Sequence, residues 1–388
     1  MRNEIKDYVW GSRTAFSELF GIENPNKQPQ AELWMGAHPD GCSTINVNGE
    51  DILLSKFIEN QDNVLSMNSR KGKGQKLSYL FKVLAAKKAL SIQVHPNKKQ
   101  AKKGFNDEER TGVERTASNR NYKDPNHKPE LIYALTTFKA MNGFRTYHEI
   151  ETLLKKMALK SIESIVKEFL CSQNKSQGLR TLFTSILSMD EAIKVTAINE
   201  LLQKANSDSD DPVFALILQL SIQYPNDVGL FCPIILNVID LKPGEAMFLN
   251  AGTPHAYIQG TGLEVMASSD NVLRSGLTAK HMDMDELIKC TKFHPKPKGT
   301  LHTKPIHSKM GSLYPVPVKD FRFSVISNPM QLDMEVSSAE ILMAIDGNIT
   351  LSHESGEKLT IKIGESVFIP AYSKNYKISS LGQVARVF

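Results

Sequence analysis

Apolar and polar residues alternate in short runs over the first part of the chain, shift to a helical period in the middle, and return to short runs up to the end. Ser43-Thr-Ile-Asn-Val-Asn-Gly49 alternates and closes on Asn-Gly, which predicts a hairpin. Phe81-Lys-Val-Leu-Ala85 predicts a buried strand that runs into a basic turn, and Leu90-Ser-Ile-Gln-Val-His-Pro96 predicts another strand. A period of two puts Ser91, Gln93 and His95 on one face of the latter, with Ile92 and Val94 on the other. A face of Ser, Gln and His lines a polar site, not a packed core. Residues 104–127, rich in Asn, Asp, Glu and Arg, read as a long polar loop of the kind that carries function or moves. His127-Lys-Pro-Glu130 then enters the apolar run Leu131-Ile-Tyr-Ala-Leu135, and the Pro129 ring restricts the backbone so that Lys128 and Glu130 are aimed.

From 146 to 225 apolar residues recur at helical spacing. Thr146-Tyr-His-Glu149 and Ser188-Met-Asp-Glu191 each read as a capping box, and Asn206–Pro212 as a polar break between helices. From 226 the pattern is that of strands. Within it, Lys242-Pro-Gly-Glu-Ala-Met-Phe-Leu-Asn-Ala251 is echoed by Lys362-Ile-Gly-Glu-Ser-Val-Phe-Ile-Pro-Ala371, and Asn375 stands in the second copy where His255 stands in the first. The echo predicts two barrels of similar build, only the first with metal chemistry. The expected fold class is therefore mainly β with an α-helical insert: two cupin-like jelly-roll barrels plus a helical domain. The expected division is 1–145 and 226–295 for the catalytic barrel, 146–225 for the helical domain, and 296–388 for a C-terminal barrel without metal.

Composition narrows the class. With 388 residues, 41% hydrophobic and 23% charged, the chain is an ordinary globular protein long enough for two or three domains. A net charge of +5 is too mild to argue for nucleic acid. The basic runs Arg70–Lys76 and Lys98–Lys103 read as solvated faces or loops that could draw an anionic substrate. Four scattered cysteines with no CxxC pair suggest neither a disulfide framework nor a cysteine zinc site. No apolar leader and no run of about 18 apolar residues is present, so a reduced, cytoplasmic protein that does not enter a membrane is expected.

The candidate chemistry centres on Gly244-Glu-Ala-Met-Phe-Leu-Asn250-Ala-Gly252-Thr-Pro-His255, a strand ending in a Gly/Pro turn that aims one histidine inward. This run resembles the second motif of the cupins, with Asn250 where Pro is usual and Gln259 where Asn is usual. Gln93, His95, Glu130 and His255 together make a mixed N/O set that leaves room for water or substrate, the pattern of a catalytic metal. Zinc fits best, while Mn, Fe or Co could occupy the same set. Arg274 can clamp an oxyanion or phosphate, and Asp270, four residues before it, is placed to pair with it. His38, in Glu32-Leu-Trp-Met-Gly-Ala-His-Pro39, reads equally as a core histidine or as an acid/base beside the site.

Six runs in order resemble one family. Tyr8-Val-Trp-Gly-Ser12, Glu32–Pro39, Leu90–Pro96, Asn126–Glu130, Gly252-Thr-Pro-His-Ala-Tyr257 and Ser269-Asp-Asn-Val-Leu-Arg274 are similar to type I phosphomannose isomerases. The resemblance spans almost the whole chain and is weakest in the helical insert and the C-terminal barrel. It implies interconversion of mannose 6-phosphate and fructose 6-phosphate with one Zn2+ per subunit, held by Gln93, His95, Glu130 and His255. It also implies a catalytic role for Arg274. Lys128, Glu264 and His38 match positions of possible acid/base groups, and Trp10, Ser91, Tyr257, Asp270 and Lys280 match positions around the substrate. The base is left open among a metal-activated water, Glu264, His38 and a Lys128 of depressed pKa. Arg274, Lys280 and the basic run Lys98–Lys103 are candidates for the phosphate. A monomer acting on a small sugar phosphate, with no nucleic-acid or membrane partner, is expected. The rival readings are another cupin-type sugar-phosphate isomerase, a cupin oxygenase, for which a Gln ligand is atypical, and a non-catalytic sugar-phosphate-binding cupin.

Overall fold

The computed structural model describes residues 1–67, 69–72 and 74–388, so one lysine of the basic run Arg70–Lys76 lies outside the described residues. The architecture is mainly β with a helical insert. A ten-stranded antiparallel sheet system is built around the strand His255–Ala267, which pairs along its length with Phe138–Phe144, Gln93–Val94, Glu130–Ala134 and Tyr79–Ala86. One strand serves so many neighbours because it bends at Gly260. There φ is +125°, and an added Cβ would lie 2.5 Å from the Thr137 carbonyl oxygen. Residues before the bend face Phe138–Phe144; those after it face Tyr79–Ala86.

Alternation sets the layers. Phe81, Val83 and Ala85 point to a core shared with Phe323, Ile341, Met343 and Val387 of the C-terminal sheets. Leu84 and Ala86 point instead to a core with Ile132, Ala140, Met247 and Tyr257, and Lys82 goes with them. The C-terminal region is a six-stranded and a four-stranded antiparallel sheet closing on Met334, Leu342, Ile349, Ile378 and Val384. Helices from Tyr147–Met157 to Pro212–Gln223 pack around Phe183, Ile198, Leu201 and Ile217. Ala256 and Ile258, on the outer face of the long strand, share that core.

The Asn48-Gly49 hairpin and the Thr146/Glu149 capping box form as expected. Four local readings need correction. The polar stretch 104–127 is not all loop, because a helix spans Lys98–Thr111. It starts from a reciprocal Asn97/Gln100 capping box and stops at Gly112, φ +75°. Near 190 the cap is Asp190, whose side chain accepts from Ile193 N–H, while Ser188 ends the preceding helix. Strands resume at Leu236, not 226, after the short helices Val228–Phe231 and Cys232–Ile235. The strand expected over 90–96 contracts to Gln93–Val94, although its alternation holds.

Candidate active site and metal centre

Cross-strand register gathers the site. Gln93 lies opposite His255 on one side and Arg274 on the other. Opposed residues of antiparallel strands share a face, so all three turn the same way. Val94 and Leu273, one step along, turn into the helical core. Glu130 opens its strand opposite Leu249 and Met266. The two histidine loops are bonded directly, Gly252 N–H donating to the His95 carbonyl at 2.8 Å. Gly252 holds φ +79°, and a Cβ there would sit 2.8 Å from the Cys290 carbonyl oxygen, so the turn that aims His255 requires glycine.

The protons on the two imidazoles are fixed by their outer partners. His95 Nδ1 lies 2.8 Å from the Asn271 carbonyl and His255 Nδ1 2.9 Å from the Thr253 carbonyl. A carbonyl only accepts, so each Nδ1 carries the hydrogen and each Nε2 presents a lone pair. Both lone pairs face Glu130, with Nε2 of His95 3.3 Å from Oε1 and Nε2 of His255 3.3 Å from Oε2. Acceptors confronting acceptors in a dry interior repel one another, and a cation between them satisfies all three. His95 Nε2 is buried and forms no hydrogen bond. Burial outweighs the attraction of Glu130 and pushes the His95 pKa down to about 4, keeping the ring in the neutral form that can bind a cation. Burial works to raise the Glu130 pKa, yet the positive charge of the Lys128 ammonium, 3.5 Å away, draws it down. One donor atom of each of the three lies within 4.8 Å of the others, and each Nε2 lies 3.3 Å from a Glu130 oxygen, a separation one ion bridges at zinc's N/O bond lengths of about 2.0–2.2 Å.

Ser91, Gln93, Lys128, Tyr257 and Glu264 line one cleft with Glu130 and His255. Gln93 Nε2 donates to Ser91 Oγ at 3.3 Å. Tyr257 donates its hydroxyl to Glu264 Oε1 at 2.8 Å and lies 3.5 Å from Glu130 Oε2. Burial raises the Glu264 pKa, against the pull of Lys82.

His38 and Asp270 meet at 3.3 Å, Nε2 to Oδ2. Since Asp40 N–H donates to His38 Nδ1, the Nε2 hydrogen belongs to the bond with Asp270. Burial would raise the Asp270 pKa, but His38 and the nearby lysines bring it down to about 2. The expected Asp270–Arg274 pair does not form, because 268–280 is irregular, not helical, and the aspartate is turned to His38. Arg274 is half-buried with no carboxylate partner among the described residues, and desolvation lowers its pKa. Desolvation also lowers that of Lys280, helped by the charges of Arg274 and Lys123. Trp10 packs on the core that contains Leu84 and Tyr257, behind the cleft lining.

Three participants escaped the sequence reading. Lys82, 5% exposed, places Nζ 3.1 Å from Glu264 and 3.6 Å from Glu32, and 5.1 Å from the Trp34 ring centre. Glu32 also accepts from Trp34 Nε1 at 2.6 Å. Asn271, fully buried, accepts from Lys123 N–H and donates to the carbonyls of Asp124 and Asn126, so its own carbonyl holds His95 from a fixed position. A lysine inside the apolar run Tyr79–Ala86 was the available signal for the first. Among the described residues no helix is long and apolar enough to cross a membrane.

The chain matches the descriptions "Phosphomannose isomerase type I, catalytic domain" over 1–147, "Phosphomannose isomerase type I, helical insertion domain" over 153–236, and "Mannose-6-phosphate isomerase, cupin domain" over 312–388. It is 46% identical to the mannose-6-phosphate isomerase of Salmonella typhimurium, covering 100% of this chain and 98% of that protein. It is 36% identical to the rat enzyme, over 89% and 86%. The crystal structure of the Salmonella typhimurium protein bound to its substrate fructose 6-phosphate and zinc superposes with a TM-score of 0.94 at 46% identity, covering 100% of this chain and 98% of that one.

Proposed function

Because the chain belongs to the type I phosphomannose isomerase family, we propose that the residues gathered above carry the family reaction, in the roles that follow. The protein is an aldose–ketose isomerase that interconverts D-mannose 6-phosphate and D-fructose 6-phosphate through a cis-enediol, with zinc as its metal. The observation that carries the assignment is the pair of buried Nε2 lone pairs turned on one carboxylate. His95, Glu130 and His255 would hold the ion, with the Gln93 carbonyl oxygen as fourth donor. Bound there, zinc supplies Lewis acidity toward the oxygens of C1 and C2 as negative charge develops on them.

The remaining work falls to side chains. Glu264 is assigned the proton that leaves C2 and returns at C1, because burial lifts its pKa toward the range useful for such transfer. Tyr257 and Lys82 hold its two oxygens in place. Lys128, beside Glu130, donates toward the developing enediolate. Arg274 shares the face of Gln93 and takes part of the same charge, while Lys280 and Lys123 on the arginine's outer side attract the phosphate. His38, whose Nδ1 is occupied by a backbone N–H, acts as a donor that keeps Asp270 in place for a sugar hydroxyl, not as the base. Ser91 orients Gln93, and Trp10 backs Tyr257.

In domain terms, 1–145 and 226–295 are read as one catalytic unit around the 146–225 insert, with 296–388 as the metal-free unit. Pairing of Phe138–Phe144 with both Leu236–Leu241 and His255–Ala267 supports joining the first two. A cytoplasmic monomer is the working reading, and four free cysteines fit a reducing compartment. The test is a coupled assay of mannose 6-phosphate conversion before chelation, after it, and after zinc is restored. Loss and recovery are expected; a folded, zinc-loaded protein without turnover would overturn the proposal.

A further inference from the structure

The active-site loop 123–130 is stitched on three sides. Asn271 holds the Lys123 and Asp124 N–H groups and the Asp124 and Asn126 carbonyls from within the catalytic sheets. Lys98, at the start of the polar helix, donates to Asn126 Oδ1 at 2.5 Å. The third tie comes from the other end of the chain: His127 Nε2 meets Asp320 Oδ2 at 2.9 Å. Asp320 precedes the strand Phe323–Ser327 of the C-terminal sheets and is itself pinned, because Ser78 Oγ donates to its carbonyl at 2.6 Å. Ser78 in turn accepts from Ser268 N–H, beside the loop that carries Asp270.

Successive side chains of an extended segment point to opposite sides. His127 turns outward to Asp320, so Lys128 turns inward to the metal cleft, where its Nζ lies 3.5 Å from Glu130 with the side chain only 12% exposed. Clamping the imidazole outside therefore fixes the ammonium inside. We propose that Asp320 is a positioning residue for the isomerisation: the C-terminal region reaches over to hold the His127–Lys128 pair, and so sets where the lysine ammonium sits. The inference rests on the role assigned above to Lys128. It also gives the metal-free region a part in the chemistry.

The experiment compares Asp320→Ala, Asp320→Asn and His127→Gln in the zinc-loaded protein, with Asp320→Ala repeated in a Lys128→Gln background. Asp320→Ala is expected to lower kcat about ten-fold, the scale of a sub-ångström misplacement of a reacting group, with KM, zinc content and melting temperature close to the parent. Asp320→Asn, whose amide oxygen still accepts from the imidazole, and His127→Gln, whose amide still donates to the carboxylate, should recover most of the loss. In the Lys128→Gln background Asp320→Ala should cost nothing more. An equal cost in both backgrounds would overturn the positioning role while leaving Lys128 in place. A Lys128→Gln variant as active as the parent would sink the assigned role of the lysine, and the inference with it. Should Asp320→Ala fail to fold, Asp320→Asn and His127→Gln decide: parent-like zinc content with a full loss of kcat in both would count against the clamp.

Discussion

Replacing Lys82 with methionine removes a buried cation and little volume, so its effect isolates electrostatics. In the parent protein Lys82 touches Glu264 at 3.1 Å and Glu32 at 3.6 Å, and the two carboxylates are 3% and 7% exposed. Without the ammonium both are left in a dry interior with one tyrosine and one indole donor between them. Breaking a buried ion pair by removing one partner costs about 3–5 kcal/mol. Here the two surviving donors and the methionine side chain offset part of that, which puts the expected loss at about 3 kcal/mol at pH 8. With the ammonium gone, burial in a dry interior favours the neutral acid over the carboxylate. An acid raised in the folded state binds its proton more tightly than in the unfolded chain, so the variant loses stability as pH climbs from about 4.5 through the raised values. Burial opposes protonation of Lys82, but Glu32 and Glu264 outweigh it and raise its pKa. Its contribution in the parent is therefore complete below the ordinary lysine range and is not lost across this window. The difference between parent and variant should thus be under about 1 kcal/mol near pH 4.5 and grow toward pH 8. Urea denaturation of both proteins at four or five pH values measures it. A difference that is flat with pH, or larger in acid, would refute the reasoning.

Asn271→Ala should weaken zinc binding about 10–100-fold, as loss of an outer partner of a histidine ligand does, read by competition with a chromophoric chelator. An unchanged affinity would mean that the His95 carbonyl partner is held by other contacts. Gly252→Ala forces a Cβ to 2.8 Å from the Cys290 carbonyl at φ +79°; a loss of about 2–3 kcal/mol and a sub-stoichiometric zinc content are expected, by denaturation and metal analysis. Arg274→Lys keeps charge but not the planar fork, and kcat should fall about 100-fold with zinc retained; parent-like turnover would reduce the arginine to a distant attractor. Turnover in heavy water should place solvent deuterium in the product, and none would favour direct hydride transfer unless the proton is shielded from exchange.

The residues gathered at the candidate metal centre were legible because each announces itself locally. Gln93 and His95 follow from a period of two, Glu130 from a proline that aims it, and His255 from a glycine turn. What stayed hidden depends on partners far along the chain. Lys82 sits in an apolar strand, and the Glu264 that it pairs with is 182 residues away. Asp270 had a plausible local partner in Arg274, yet found His38 across the fold. The helix Lys98–Thr111 escaped for a different reason: only Ala101 is buried, and with Phe105 the one large apolar side chain its inner face does not stand out among so many charges. Its signal lay in the Asn97/Gln100 cap instead.

The internal echo reaches deeper than the turn that revealed it. Gly244 and Gly364 both take positive φ, and in each turn the lysine N–H two residues earlier donates to the following glutamate at 2.8 Å. Register extends the match: Leu249 pairs with Glu130, and Ile369, its counterpart, pairs with Glu340. Two residues along those strands, Ile132 faces Glu264 while Leu342 faces Arg386. The C-terminal sheets thus keep the buried glutamate of the metal centre, exchange the acid beside it for arginine, and put Asn375 where His255 stands. Arg386 grips Glu340 with two nitrogens, and the Tyr376 hydroxyl adds a third contact at 3.0 Å. Three of the roughly four lone-pair sites of the Glu340 carboxylate are thus taken by donors of this chain. The catalytic sheets instead turn two acceptor nitrogens on Glu130 at 3.3 Å, with the Lys128 ammonium beside it at 3.5 Å. On the same strand frame, the position that holds Glu264 beside one buried glutamate holds Arg386 beside the other.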